Sequence, residues 1–265
     1  MMKPLKLIPT VIAMLMLGGC GQSGTSITES KITSETTPKA SETTAYTTEQ
    51  DPEEQIEQTA PTLLYMGQAS IRIVTGQGKV IYIDPYAGDA YDLPADLIIV
   101  THDHYDHSDV DKVSNRSPDC EIITHNEAVV NGEHKTFELG YVTVEAVEAG
   151  FNDWHDVNEC AGYVLTFENG SSVYVTGDTS KTDQMSEMSS MNIDYAFYCC
   201  DGEFNMGLDE AAECARLVGA KHNIPYHNTT DTSGDHFDRE KAQQFDAPNR
   251  LIIEPGEEIE LVHEE

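Results

Sequence analysis

Seven consecutive residues near the middle of the chain, Thr101-His102-Asp103-His104-Tyr105-Asp106-His107, constrain this sequence more than any other stretch. They follow the apolar run Leu97-Ile98-Ile99-Val100, which reads as a buried strand ending in a polar loop. In extended backbone alternate side chains share a face, so His102, His104 and Asp106 are expected to converge. His107 is out of phase and must turn to serve a second centre. Imidazole nitrogens and carboxylate oxygens suit zinc, manganese or iron, and two adjacent ligand sets argue for two divalent ions. A solvated loop without a task has no use for three of the chain's 10 histidines at this density.

The N-terminal residues read as an export signal. Lys3 and Lys6 precede an apolar stretch from Leu7 to Leu17, shorter than the roughly 20 residues a spanning helix needs. Leu17-Gly18-Gly19-Cys20 resembles the lipobox of bacterial lipoproteins. That resemblance implies a signal peptide over residues 1–19, cleavage before Cys20 and acylation of its thiol, with an ordinary secretory signal or an uncleaved anchor as the alternatives. Residues 20–60 then form a Ser/Thr/Glu-rich tether with too few large apolar side chains to fold. Such a stalk suits an extracytoplasmic protein held to the membrane by its lipid anchor alone, and a Ser/Thr-rich segment able to thread cell-wall polymer fits a Gram-positive source.

Residues 61–265 are enough for one domain with a sizeable core. The chain carries 15 Lys and Arg against 47 Asp and Glu, a net charge of −32. That field repels nucleic acid at long range and leaves a small molecule as the expected partner. Nothing in the sequence sets the oligomeric state. Apart from Cys20, the cysteines are Cys120, Cys160, Cys199, Cys200 and Cys214, an odd number without zinc-ribbon spacing. Cys199 and Cys200 read as buried thiols, and a bridge from Cys160 to one of them is left open.

Three β-type runs at 62–66, 70–75 and 79–84 open the domain as a meander. The strand before the histidine loop follows, then a short helix from Ser108 and a strand at 121–124. Two hairpins are expected next, 134–138 with 141–147 and 162–167 with 172–176 around Asn169-Gly170. Thereafter helices at 182–190, 208–218 and 238–245 alternate with strands at 193–199 and 221–225, and two strands close the chain. No internal repeat is visible. Strands that first meander and then alternate with helices predict two sheets packed face to face with helices outside.

Three further candidates stand at expected strand ends: His155 in Asn152-Asp153-Trp154-His155, Asp178 in Thr176-Gly177-Asp178-Thr179, and His227 in Ile224-Pro225-Tyr226-His227. With Ile83-Asp84-Pro85, Asp201-Gly202 and Asp209-Glu210-Ala211-Ala212, these segments make the chain resemble the metallo-β-lactamase-fold hydrolases over nearly all of residues 62–262. The branch it is most similar to is the small single-domain group that includes ascorbate-6-phosphate lactonases. The resemblance implies an α+β fold, a four-layer αββα sandwich of two mixed β-sheets flanked by helices. It further implies that His102, His104 and His155 hold one metal ion, that Asp106, His107 and His227 hold the other, and that Asp178 bridges them. Asp84 would fix the histidine loop by hydrogen bonding, unless it is only a residue of a proline turn.

The implied chemistry is hydrolysis of a small ester, lactone or phosphodiester. Two divalent ions, zinc first and manganese or iron as alternatives, would share a water whose pKa falls to about 7. Asp106 and Asp178 would be the catalytic carboxylates, Asp106 orienting the water and accepting its proton. Asp178 stands where true β-lactamases place a cysteine, which argues against antibiotic hydrolysis. Gln68 stands where the family often has histidine, a departure expected to bear on substrate contacts and not on the metals. Tyr105, Trp154, Phe204 and Tyr226 are candidates for a substrate wall. His125, His134, His222, His236 and His263 read as structural or surface residues, with His236 the one placed to border the pocket. Two other readings fit the same motifs: a metal- or solute-binding surface lipoprotein without turnover, and an iron-dependent oxygen-using enzyme on the same fold.

Overall fold

The structure, a computed structural model, describes residues 59–264; the signal peptide, Cys20 and nearly all of the tether lie outside the described residues. The first half supplies β1 (Thr62–Gly67), β2 (Ser70–Val74), β3 (Val80–Ile83), β4 (Ala95–Ile99) and β5 (Arg116–Ile123). Next come α1 (His125–Ala128) and the hairpin β6 (Val129–Val130) and β7 (Glu133–His134). The second half contains β8 (Thr136–Glu138), β9 (Val142–Glu148), β10 (Ala161–Phe167), β11 (Ser172–Val175), β12 (Tyr195–Cys199), α2 (Leu208–Val218), β13 (His222–Tyr226), α3 (Arg239–Ala242) and β14 (Glu258–Glu260).

Two six-stranded mixed sheets result, in the orders β14-β1-β2-β3-β4-β5 and β8-β9-β10-β11-β12-β13. From the first strand of each order, three antiparallel pairs are followed by two parallel ones. The two halves thus share one topology although no sequence repeat links them. Alternation along the strands builds the core. Ile81, Ile83, Leu97 and Ile99 join Val144, Leu165, Val173 and Phe197 in the main cluster, while Val80, Tyr82 and Ile98 belong to a smaller one with Tyr91 and Val113. Each fully buried Val, Leu or Ile contributes roughly 1.5–3 kcal/mol.

The sandwich of two mixed sheets is as expected, but its helical layers are thin. α2 lies against β12 and buries Ala211, Ala212, Cys214, Ala215 and Val218 on one face. It stops at Gly219, whose left-handed backbone donates to the Ala215 carbonyl. The expected helix from Ser108 is a single 3₁₀ turn, Val110–Lys112, and the segment 182–190 forms two more, Gln184–Ser186 and Met188–Met191. Met185 and Met188 are buried three residues apart, which suits three residues per turn. Glu148 and Gln184 also tie the segment down, each side chain accepting from the other's backbone N–H. The helix expected over 238–245 is one turn, Arg239–Ala242. Only one closing strand forms, since the chain near Arg250 makes a single bridge to Asn223. α1 was not expected, although Thr124 and Glu127 form a capping box around its first turn.

The bulged turn between β1 and β2 is pressed against the segment before α3. Gly67 has φ +104°, and a Cβ there would collide with the Asp235 carbonyl oxygen. Gly67→Ala is expected to cost about 1–3 kcal/mol of stability in urea unfolding; a change within about 0.5 kcal/mol would show that this contact is not held in solution.

Candidate metal centre

The site forms where the carboxyl ends of the parallel strands from both sheets meet at one rim. Asp84 follows β3, the histidine loop follows β4, Asp178 follows β11, Asp201 follows β12 and His227 follows β13. Asp84, Gln68 and His227 all have left-handed backbone, at φ 44°, 50° and 39°. Such conformations cost of order 1–3 kcal/mol and persist where surrounding structure over-determines them.

Asp84 is buried and anchors the histidine loop. Its Oδ1 accepts from Thr101 N at 2.8 Å, and its Oδ2 accepts from Thr101 Oγ1 at 2.8 Å. The same Oδ2 lies 2.8 Å from His107 Nδ1, so a proton on Nδ1 leaves His107 Nε2 facing the site. His155 is held likewise, with Nδ1 3.0 Å from Asn152 Oδ1, which also accepts from the His155 backbone N–H.

The loop does not stay extended. His107 N and Ser108 N both donate to the His104 carbonyl, and this turn ends the two-residue alternation. Asp106 therefore does not join His102 and His104, as strand spacing alone predicts. His102, His104 and His155 converge as one group that could hold an ion, and Asp106, His107 and His227 as another. His104 Nδ1 is 3.2 Å from His155 Nε2, and His227 Nε2 is 3.8 Å from Asp106 Oδ2. Asp178 lies between them: Oδ2 is 3.4 Å from both His155 Nε2 and His227 Nε2, and Oδ1 is 3.4 Å from His107 Nε2.

Buried acceptors without partners test whether a metal fits. His102 Nε2, His107 Nε2 and Asp178 Oδ1 are enclosed and make no hydrogen bond. Buried polar atoms are rarely left so, and these three face one another as lone-pair donors around a cation would. Without an ion, a proton takes the cation's place. Burial opposes a charge on His107, but the carboxylates of Asp178 and Asp84 outweigh it and hold its pKa well above the usual histidine range. Burial, reinforced by the charge on His107, pushes His102 well below that range. Asp178 stays ionised: burial raises its pKa, yet His227 and His107 together bring it well below the ordinary carboxylate value.

Two asparagines outside the motifs complete the surroundings. Asn205 Nδ2 donates to Asp178 Oδ2 at 2.8 Å and to Asp201 Oδ2 at 2.7 Å. Asn152 lies in the segment that carries His155 but has no expected role there, and Asn205 leaves no signal in the sequence. Gln68 departs from expectation, because it reaches the centre itself. Its Nε2 lies 2.9 Å from Asp106 Oδ2 and 3.1 Å from His227 Nε2.

A cleft of about 270 Å³ opens over the two groups, with Tyr105, Trp154 and Phe204 in its wall. The Trp154 and Phe204 rings meet edge to face at 5.1 Å. Tyr226, expected in that wall, is instead buried, its hydroxyl accepting from Gly177 N at 3.0 Å. His236 meets Tyr86 edge to face at 5.5 Å, His222 and His263 pair with Glu264 and Asp194, and His125 is buried at the start of α1. Cys120, Cys160, Cys199, Cys200 and Cys214 are all free thiols, so no bridge joins Cys160 to its vicinal neighbours.

The Beta-lactamase superfamily domain family matches residues 62–227. A UPF0173 metal-dependent hydrolase from Ligilactobacillus salivarius is 31% identical over 194 residues, covering 63% of this chain and 85% of that protein. Another from Rubrobacter xylanophilus is 28% identical over 232 residues, covering 74% and 95%. Among solved structures, a candidate metal-dependent hydrolase from Parabacteroides distasonis superposes with a TM-score of 0.60 at 27% identity, covering 72% of this chain and 92% of that one. A metallo-beta-lactamase fold protein from Bacillus subtilis reaches 0.57 at 16% identity, covering 76% and 99%, and shares the fold. The fold is thus that of a metallo-β-lactamase superfamily enzyme, and the His/Asp cluster could hold its metal. Within that superfamily the chain belongs to the UPF0173 metal-dependent hydrolases.

An ion that took His107 as a ligand would have to displace the proton held between Asp84 and Asp178. Because the His107 pKa is raised, that proton persists above the usual histidine value, and metal affinity is expected to climb as pH rises through and beyond it. Calorimetry of the metal-free protein in buffers of different ionisation enthalpy should show proton release at pH 7; affinity that is flat between pH 6 and 9 would contradict the assignment.

Proposed function

We propose that His102, His104 and His155 hold one divalent metal ion, that Asp106, His107 and His227 hold a second, and that Asp178 bridges them in a hydrolase of a small ester, lactone or phosphodiester. The observation that carries this reading is the Asp178 carboxylate, whose Oδ2 is equally close, at 3.4 Å, to one histidine of each group. When bound, paired divalent ions bring a shared water to a pKa of about 7 and polarise the oxygen of the bond to be cleaved. Zinc suits this His/Asp set best, with manganese and iron also accommodated.

The chain's own residues then position and exchange protons. Asp106 borders the cleft and is the carboxylate placed to orient a water and take its proton at an oxygen. His104 stands at the mouth beside it. Trp154 and Phe204 offer an apolar flank that excludes water and receives a hydrophobic part of the substrate. Cys160 is no competing nucleophile, since burial, with Asp178 nearby, pushes its thiol up to about 12. The relatives' description as hydrolases and the central place of Asp178 favour turnover over simple metal storage. The compact domain is in keeping with the small branch of ascorbate-6-phosphate lactonase-like proteins.

Metal analysis of protein from the native host should find about two ions per chain, and chelation should abolish hydrolysis of aryl esters, lactones and bis-aryl phosphodiesters. Asp178→Asn should lose one ion and lower kcat by about 100-fold or more. Full activity after exhaustive chelation, or fewer than about one ion per chain, would sink this reading.

We further infer, from Leu17-Gly18-Gly19-Cys20 and the composition that follows it, that the enzyme is lipid-anchored outside the cytoplasm. Cys20→Ser is expected to move it from the membrane pellet to the soluble fraction and to remove the acyl mass; an unchanged distribution would refute the anchor.

A further inference from the structure

Gln68 is 3% exposed and reaches in among the histidines and carboxylates of the centre. Its backbone is fixed on every side. Gln68 N donates to the His236 carbonyl at 3.2 Å, and its own carbonyl accepts from His227 N at 3.1 Å and from the Tyr65 hydroxyl at 2.8 Å. Held in left-handed backbone at φ 50°, it is joined to His227, itself at φ 39°. Two strained residues brace each other so that both side chains reach the same point.

At that point the carboxamide presents an inconsistency. Nε2 sits 2.9 Å from Asp106 Oδ2 and 3.1 Å from His227 Nε2, whereas Oε1 is buried without any hydrogen-bond partner. Donors about 2.1 Å from one ion and about 90° apart stand about 3 Å from each other, against about 3.4 Å in a tetrahedron. With the 3.8 Å separation of Asp106 Oδ2 and His227 Nε2, these atoms form a triangle small enough for one ion to lie about 2.1 Å from all three corners. The corner taken by Gln68 is therefore a donor position, but an amide nitrogen has no lone pair to give. A half-turn about the last side-chain torsion exchanges Nε2 with Oε1, places a neutral oxygen there, and moves the amide N–H groups into the enclosed position that Oε1 leaves.

We propose that Gln68 is a ligand of the second metal ion, its Oε1 completing the set of Asp106, His107, His227 and Asp178 and raising that ion's coordination number above four. The proposal rests on the dinuclear reading above. Its consequence is asymmetry: the His102, His104 and His155 ion keeps a nitrogen-rich set, while the other gains a second kind of oxygen donor. That difference favours a harder ion, such as manganese or iron, at the second position.

The test is a cobalt(II) titration of the metal-free full-length protein in detergent against a competing chromophoric chelator, read by affinity and by visible absorption. The wild type is expected to take up two ions, the second giving the weak absorption of a five- or six-coordinate centre. In Gln68→Leu the second affinity should fall about 10- to 100-fold and its absorption should intensify as the coordination number drops. In Gln68→Glu, which keeps an oxygen at the same reach, the second affinity should match or exceed the wild type. A second ion bound by Gln68→Leu with wild-type affinity and spectrum would overturn the proposal, as would equal losses in both variants, which mark a purely structural role. Should the leucine variant fail to fold, weakened second-ion affinity in the glutamate variant alone overturns it. Uptake of a single ion by the wild type would instead overturn the dinuclear reading itself, and the proposal with it.

Discussion

One imidazole, His107, lies between two buried carboxylates contributed by different sheets: Asp84 beyond β3 on its Nδ1 side and Asp178 beyond β11 on its Nε2 side. It thereby links the two halves of the centre through one buried side chain. Desolvating two carboxylates costs several kcal/mol each unless charge and hydrogen bonds offset it, and here Thr101, Asn205 and His107 supply both. Removing one partner would strand a buried charge. The histidine loop can be long, polar and turned only because Asp84 fixes its first residue and its last.

The matching order of the sheets explains why such an arrangement is available. Each half ends in parallel strands whose carboxyl ends open on one rim, so chemistry-bearing residues come from equivalent places. Asp84 after β3 corresponds to Asp178 after β11, and the loop after β4 to Asp201 after β12. One sheet spends its aspartate on holding the loop. The other places its aspartate at the centre of the site. A duplicated frame has thereby been given unequal tasks, a difference carried by side chains and not by topology.

Strand positions and the seven converging residues were legible because alternation and strand-end placement are local properties. His102, His104, His155, Asp106, His107, Asp178 and His227 all meet at the rim as expected. What spacing missed came from contacts distant in sequence. The grouping of Asp106 with His107 depends on a turn closed by the His104 carbonyl, and the entry of Gln68 depends on a turn 159 residues away from the His227 it touches. Asn205 reaches Asp178 from a loop without periodicity. The helices are shorter than the pattern predicts for a related reason: Met185 and Met188 fit both a 3.6-residue and a three-residue period, and the tie between Glu148 and Gln184 is a contact distant in sequence.

The charge of the chain bears on what such a site can accept. A net −32 repels anions from a distance, which sits uneasily with an enzyme acting on a phosphodiester or stabilising a developing oxyanion. The conflict is one of range. Exposed charges are screened beyond about 8–10 Å at physiological salt, while charges at the buried rim are screened far less. In the dinuclear reading, two divalent ions carry four positive charges against the four negative charges of Asp84, Asp106, Asp178 and Asp201, with the ligating histidines neutral. The centre is then balanced in formal charge, with the cations where bonds change, inside an envelope that is negative elsewhere. Encounter with an anionic substrate would be slow and salt-dependent, yet an oxyanion arising within the cleft would be stabilised. Under the proposed function, that balance favours substrates that arrive neutral or carry one negative charge, small esters and lactones ahead of multiply charged phosphates.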